Sequence, residues 1–123
     1  MSARCVLIVE DDPVILRLLE VNFELEGHEV LLAHDGAEGL ELAKERRPDL
    51  VVTDVMMPRL SGIELVESLK GDPATAHIPI ILLSAKAQTA DLKAGMDAGA
   101  DDYVTKPFEP LDLLDRANAL LSR

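Results

Sequence analysis

The feature that most constrains this chain is a fivefold alternation. Five apolar runs, each too short for a helix, are followed in turn by segments whose apolar residues recur at helical spacing. The runs are Cys5 to Val9, Val30 to Ala33, Leu50 to Thr53, Ile80 to Leu83 and a weaker one around Tyr103 to Thr105. They are rich in Val, Ile and Leu, the pattern of strands buried on both faces. Pro13 opens the first helical segment, where its missing N–H costs nothing, and Val14, Leu18, Val21 and Leu25 follow at helical spacing until Gly27. A second helix is expected over Ala37 to Arg46, closed by Pro48. A third carries Ile63, Val66 and Leu69 and ends at Gly71-Asp72-Pro73. A fourth, rich in Ala and Gly, covers Ala90 to Ala98, and the last presents Leu113, Leu114, Ala117, Leu120 and Leu121 on one face.

Strands that alternate with helices pair in parallel, because each parallel connection needs a crossover long enough to hold a helix. Right-handed crossovers leave few topologies, and the doubly wound α/β orders are the common ones. At 123 residues, with no internal repeat or linker, residues 1–123 read as a single domain that ends with its last helix.

Composition narrows the function. Twelve Lys and Arg against 23 Asp and Glu give a net charge of -11, and the one basic cluster, Lys44 to Arg47, is broken by Glu45. Direct contact with nucleic acid or an anionic membrane is therefore not expected. Cys5 is the single cysteine, which excludes an intrachain disulfide and the Cys-rich zinc patterns; a buried place in the first strand is expected for it. Glu10, Asp11 and Asp12 fall where a signal peptide would keep its apolar stretch, so a cytoplasmic chain is expected.

In an open α/β sheet the ligand site lies outside the carboxyl ends of the strands. The first run ends in Glu10-Asp11-Asp12, the third in Asp54, the fourth in Ser84 and the fifth in Lys106. Four carboxylates, a hydroxyl and an ammonium would converge on one rim. Like charges so close raise one another's pKa unless a cation intervenes, and all-carboxylate ligands favour Mg2+, with Mn2+ as a substitute, over zinc or copper. Taken singly each residue has a plainer role: Asp12 before Pro13 suits a helix N-cap, Ser84 a turn cap, and Lys106 a surface lysine. The coincidence at four strand ends favours a site. His28, His34 and His77 read as surface residues.

The acid triplet, Asp54-Val55-Met56-Met57-Pro58 with Gly62, Ser84-Ala85 and Lys106-Pro107-Phe108 together resemble the CheY-like receiver domain of two-component response regulators, over Arg4 to Leu121. The resemblance implies a flavodoxin-like sheet of five parallel strands in the order 2-1-3-4-5, with five helices. It implies that Asp54 is the phosphoacceptor, phosphorylated by a histidine kinase or histidine phosphotransfer protein. Asp11, Glu10, Asp54 and the backbone carbonyl of Met56 would ligate Mg2+, while Lys106 and the Ser84 hydroxyl would bind phosphoryl oxygens. Such a domain assists its own phosphorylation and dephosphorylation without being an enzyme in its own right.

The family also implies a switch. Ser84 moves toward the phosphoryl group, Tyr103 turns inward, and the face of the fourth helix, fifth strand and fifth helix changes for a downstream protein or a fused output domain. The unit is expected to be a monomer, with dimerisation on phosphorylation as an option. The Lys106–Pro107 bond is expected to be cis. Departures are mild: Glu10 stands where Asp is frequent and Ser84 where Thr is frequent, while Met56 and Lys86 occupy positions that tune phosphoryl lifetime. Three alternatives compare poorly. A haloacid-dehalogenase-type phosphatase needs a general acid where Met56 stands. A flavin-mononucleotide binder needs a hydroxyl- and glycine-rich loop where the three acids stand. A receiver-like docking or dimerising module that is never phosphorylated would be favoured by loss of the Asp, the acid pair or the Lys, and none is lost.

Overall fold

The computed structural model describes residues 4–57, 59–85 and 89–122. Its elements run β1 (Cys5–Val9), α1 (Pro13–Leu25), β2 (Glu29–Ala33), α2 (Gly36–Arg46), β3 (Leu50–Asp54), α3 (Gly62–Lys70), β4 (Ile80–Ala85), α4 (Thr89–Ala98), β5 (Asp102–Lys106) and α5 (Pro110–Leu121). The five strands form one sheet in the order β2-β1-β3-β4-β5, every pairing parallel. Strand order reverses between β1 and β3, and the carboxyl ends of these two strands flank the crevice that such a reversal opens.

Successive strand residues point to opposite faces, so each strand feeds two cores. Val6, Ile8, Leu50, Val52, Ile81 and Leu83 meet α1 and α5 on one side. Leu7, Val9, Val51, Ile80 and Leu82 meet α2 and α3 on the other. The helices begin where the sequence provides caps. Asp12 Oδ1 accepts from the Val14 N–H at 2.9 Å, ahead of Pro13. The Asp35 carboxylate accepts from the Glu38 N–H at 2.9 Å, and Ser61 with Glu64 closes a reciprocal capping box on α3.

Three expectations are corrected. The stripe Val14, Leu18, Val21, Leu25 does not face the core: α1 buries Leu16, Leu19 and Phe23, and leaves Val14 and Leu25 76% and 79% exposed. Both rows have helical spacing, and the phenylalanine row is the one that fits between β1, β3 and α5. Cys5 is only half-buried, because it opens the strand next to the exposed Asp49, whose carboxylate accepts from the Cys5 N–H. His28 is half-buried too, held against the Phe23 ring and 3.2 Å from Asn118 Oδ1 on α5. Several elements gain a residue or two at their ends: Glu29 joins β2, Asp54 joins β3, Ser84 and Ala85 join β4, and Gly36 joins α2. The last helix buries all five of the residues expected on its apolar face.

Candidate functional site

Each site residue sits at the carboxyl end of a strand. The Glu10 N–H donates to the Ala33 carbonyl at 3.0 Å and so extends the β1–β2 ladder by one rung, which carries the Glu10 side chain under the rim, where it is fully buried. Asp11, the next residue, is exposed. Asp54 ends β3 opposite Leu83 and is 7% exposed. Ser84 is buried on β4, its hydroxyl donating to the Ala85 carbonyl at 3.3 Å, and the register sets Ser84 opposite Thr105 and Ala85 opposite Lys106. From β5 the Lys106 side chain reaches across two strands. Its Nζ lies 2.7 Å from Glu10 Oε1 and 3.0 Å from Asp54 Oδ2.

The electrostatics follow from burial. Removal from water pushes the Glu10 carboxyl up to about 7; the Lys106 ammonium opposes this and the Asp54 charge adds to it. Burial alone would pull the Lys106 ammonium down, but its hydrogen bonds to Glu10 and Asp54 outweigh that and hold it above its ordinary value. One ammonium thus serves two carboxylates, and a third stands beside them.

Carboxylate oxygens of Glu10, Asp11 and Asp54 lie within 4.8 Å of one another. An all-oxygen set with two buried members and one exposed fits a hard divalent cation such as Mg2+. The fourth expected carboxylate, Asp12, lies on the same rim but caps α1 instead. Met56 lies two residues past Asp54, in the loop before α3, and is 59% exposed. Pro58 and Lys86, also singled out in the sequence, lie outside the described residues.

Tyr103 stands on β5 and is 43% exposed; with Pro107, Phe108, Asp112 and Arg116 it lines a groove of about 370 Å³ between β5 and α5. The Lys106–Pro107 bond is cis. Sequence reasoning missed the neighbourhood of the loop after β3. The Leu60 carbonyl presses against Gly36, and the Arg59 guanidinium reaches Asp35 Oδ1 at 3.2 Å. The available signal was a glycine directly after the capping Asp35.

An open doubly wound sheet with strand order 2-1-3-4-5, carrying three carboxylates and a lysine at its switch point, defines a CheY-like α/β domain with a cation-ready acidic rim. The chain belongs to the response regulator receiver domain family, whose sequence model matches residues 6–118, and it is accordingly a receiver of two-component signalling. It is 43% identical over 118 residues to the DNA-binding dual master transcriptional regulator RpaA of Synechocystis sp., covering 96% of this chain and 49% of that protein. The chain thus spans about half the length of the curated relatives it matches. A response-regulator crystal structure from Chloroflexus aurantiacus superposes with a TM-score of 0.94 at 35% identity, over 99% of this chain and all of the other. The receiver domain of a Pseudomonas aeruginosa sensor histidine kinase superposes with a TM-score of 0.91 at 28% identity, covering 99% of this chain and 100% of that one; it holds a magnesium ion in its active-site cleft. Among the described residues, no helix is long and apolar enough to cross a membrane.

Proposed function

We propose that Asp54 accepts a phosphoryl group from a phosphohistidine of a histidine kinase or histidine phosphotransfer protein. The observation that carries this reading is the grouping of Glu10, Asp11 and Asp54 oxygens with the Lys106 ammonium bridging Glu10 and Asp54. One oxygen of the Asp54 carboxylate attacks phosphorus, the phosphorus–nitrogen bond breaks, and the donor imidazole leaves with the electron pair and takes up a proton. The product is an acyl phosphate, a mixed anhydride that water hydrolyses back to carboxylate and phosphate.

The chain's own part is positioning and charge. Lys106, its Nζ within 3.0 Å of Asp54 Oδ2, neutralises a phosphoryl oxygen, and Ser84 supplies a hydroxyl to a second. Glu10, Asp11, Asp54 and the Met56 carbonyl would hold Mg2+, with Mn2+ able to replace it; the ion supplies positive charge to the phosphoryl oxygens. Accepting and losing the phosphoryl group in this way, the domain assists its own turnover as a signalling unit rather than acting on a separate substrate.

Ser84 and Tyr103 form the switch. Tyr103, 43% exposed on β5 beside the α5 groove, is free to exchange an outward for an inward position when Ser84 engages the phosphoryl group. The face of α4, β5 and α5 then passes the state to a downstream protein or fused output domain. In this reading residues 1–123 act as one cytoplasmic receiver unit, monomeric before phosphorylation, whose net charge of -11 keeps the unit itself off nucleic acid and anionic membranes.

Intact mass after incubation with acetyl phosphate tests the reading. A Mg2+-dependent gain of one phosphoryl group, absent from Asp54→Asn, is expected. No gain under conditions that label a control receiver would reject it in favour of a docking module.

A further inference from the structure

The loop between β3 and α3 carries the Met56 carbonyl and must return the chain from Asp54 to Gly62. Its ends are fixed. The Gly62 N–H donates to the Val55 carbonyl at 2.9 Å, and a Cβ on Gly62 would run into the Asp54 carbonyl. Its middle is held by a different element. The Leu60 carbonyl lies against Gly36, the first residue of α2, closer than any Cβ there would allow, while the Leu60 side chain packs on the second core. One residue earlier Arg59 takes a left-handed backbone, φ 71°, and its guanidinium reaches Asp35 Oδ1 at 3.2 Å. Asp35 is itself immobilised, since the same oxygen caps α2 by accepting from the Glu38 N–H at 2.9 Å. The start of α2 therefore stands as a wall against Leu60 and Arg59 of this loop.

We propose that Gly36, assisted by the Asp35–Arg59 ion pair, is a positioning residue for the cation site, a backstop that sets where the β3–α3 loop presents its backbone carbonyl. The inference rests on the divalent-cation reading of Glu10, Asp11, Asp54 and Met56. Mg2+ demands near-ideal octahedral geometry and short ligand distances, so a small displacement of one carbonyl weakens binding steeply. A methyl group at Gly36 meets backbone, which has to move as a segment. The comparable methyl at Gly95 meets the far end of the Leu82 side chain in the second core, not the backbone of the loop. Both substitutions put alanine into a helix, so they differ chiefly in what the new methyl strikes.

The test is a Mg2+ titration of the whole chain followed by amide NMR, with thermal melts in parallel, on wild type, Gly36→Ala, Gly95→Ala and Arg59→Gln. Gly36→Ala is expected to weaken Mg2+ by about fivefold in the folded protein, whereas Gly95→Ala keeps wild-type affinity whatever its melting temperature. Arg59→Gln retains the backbone conformation and loses the tie to Asp35. Removing a positive charge would by itself tighten Mg2+ binding; loss of positioning predicts the opposite sign, a weakening of about twofold. Wild-type affinity in Gly36→Ala, equal weakening in Gly95→Ala, or tighter binding in Arg59→Gln would overturn the backstop. Should Gly36→Ala not fold, the sign in Arg59→Gln decides. A wild type with no saturable Mg2+ shift removes the cation reading and the backstop with it, an outcome distinct from the others.

Discussion

Glu10 is a fully buried carboxylate that shares one ammonium with Asp54. Its folded-state pKa is raised, from 4.5 to about 7, chiefly by burial. A group that binds its proton more tightly in the folded chain stabilises the fold fully below its unfolded pKa, and that contribution is lost as pH rises through the folded one. In metal-free protein, Glu10→Gln, which mimics the protonated form, should gain thermal stability over wild type progressively as pH rises from 4.5 to about 7. A difference in melting temperature that is flat across this range would reject the burial argument. Lys106→Ala exposes the reverse dependence. It leaves Glu10 buried beside Asp54 without its ammonium, so chemical denaturation of the metal-free variant should show a loss of about 1–3 kcal/mol. Mg2+ should still bind, yet the conformational response to phosphorylation should vanish. An unaltered phosphorylation-induced NMR change would contradict the role given to Lys106.

At the scale of elements, α1 shows how far a sequence pattern reaches. Its thirteen residues hold two apolar rows at helical spacing, Val14-Leu18-Val21-Leu25 and Leu16-Leu19-Phe23, and periodicity cannot choose between them. The choice is made by the sheet, which offers the first core a slot for Phe23 between residues of β1, β3 and α5. Leu19→Ala should therefore cost about 2–5 kcal/mol in urea unfolding, while Leu18→Ala stays within about 0.5. Equal costs would mean that both rows are packed. The last helix was less ambiguous: although Leu111 is exposed, Leu113, Leu114, Ala117, Leu120 and Leu121 form one continuous apolar face, so all five core residues were legible. Strand interiors were legible for the same reason, as runs with no polar side. Strand ends were less so, because Asp54, Ser84 and Lys106 are polar residues that the ladder nonetheless pairs.

Across the whole molecule, the strand-end residues of the site were legible because parallel topology sends every carboxyl end to one rim. The particular ion pair of Glu10 with Lys106 joins residues 96 apart in the chain, and no local pattern announces it. The contact at Gly36 was largely hidden too: a glycine after the capping Asp35 was the local hint, but its partner Leu60 in the loop after β3 is brought to the start of α2 only by the fold. The opposite end of the sheet is tied independently. Lys70 Nζ donates to the Ile78 carbonyl at 2.8 Å and the Ala76 carbonyl at 3.2 Å, and lies 3.3 Å from Asp101, whose Oδ2 also accepts from the Ile80 N–H. Lys70→Met should therefore lower stability in urea by about 1–3 kcal/mol and leave Mg2+ affinity unchanged. A weakened Mg2+ site in that variant would show that the two ends are coupled.

Phosphorylation at Asp54 is open to a direct chemical readout. Borohydride reduces an acyl phosphate to the alcohol, so treatment of the phosphorylated protein followed by peptide mass mapping reads the position directly. Homoserine is expected at residue 54 and nowhere else, dependent on Mg2+ during phosphorylation. Homoserine at another acidic residue, with residue 54 unchanged, would contradict it.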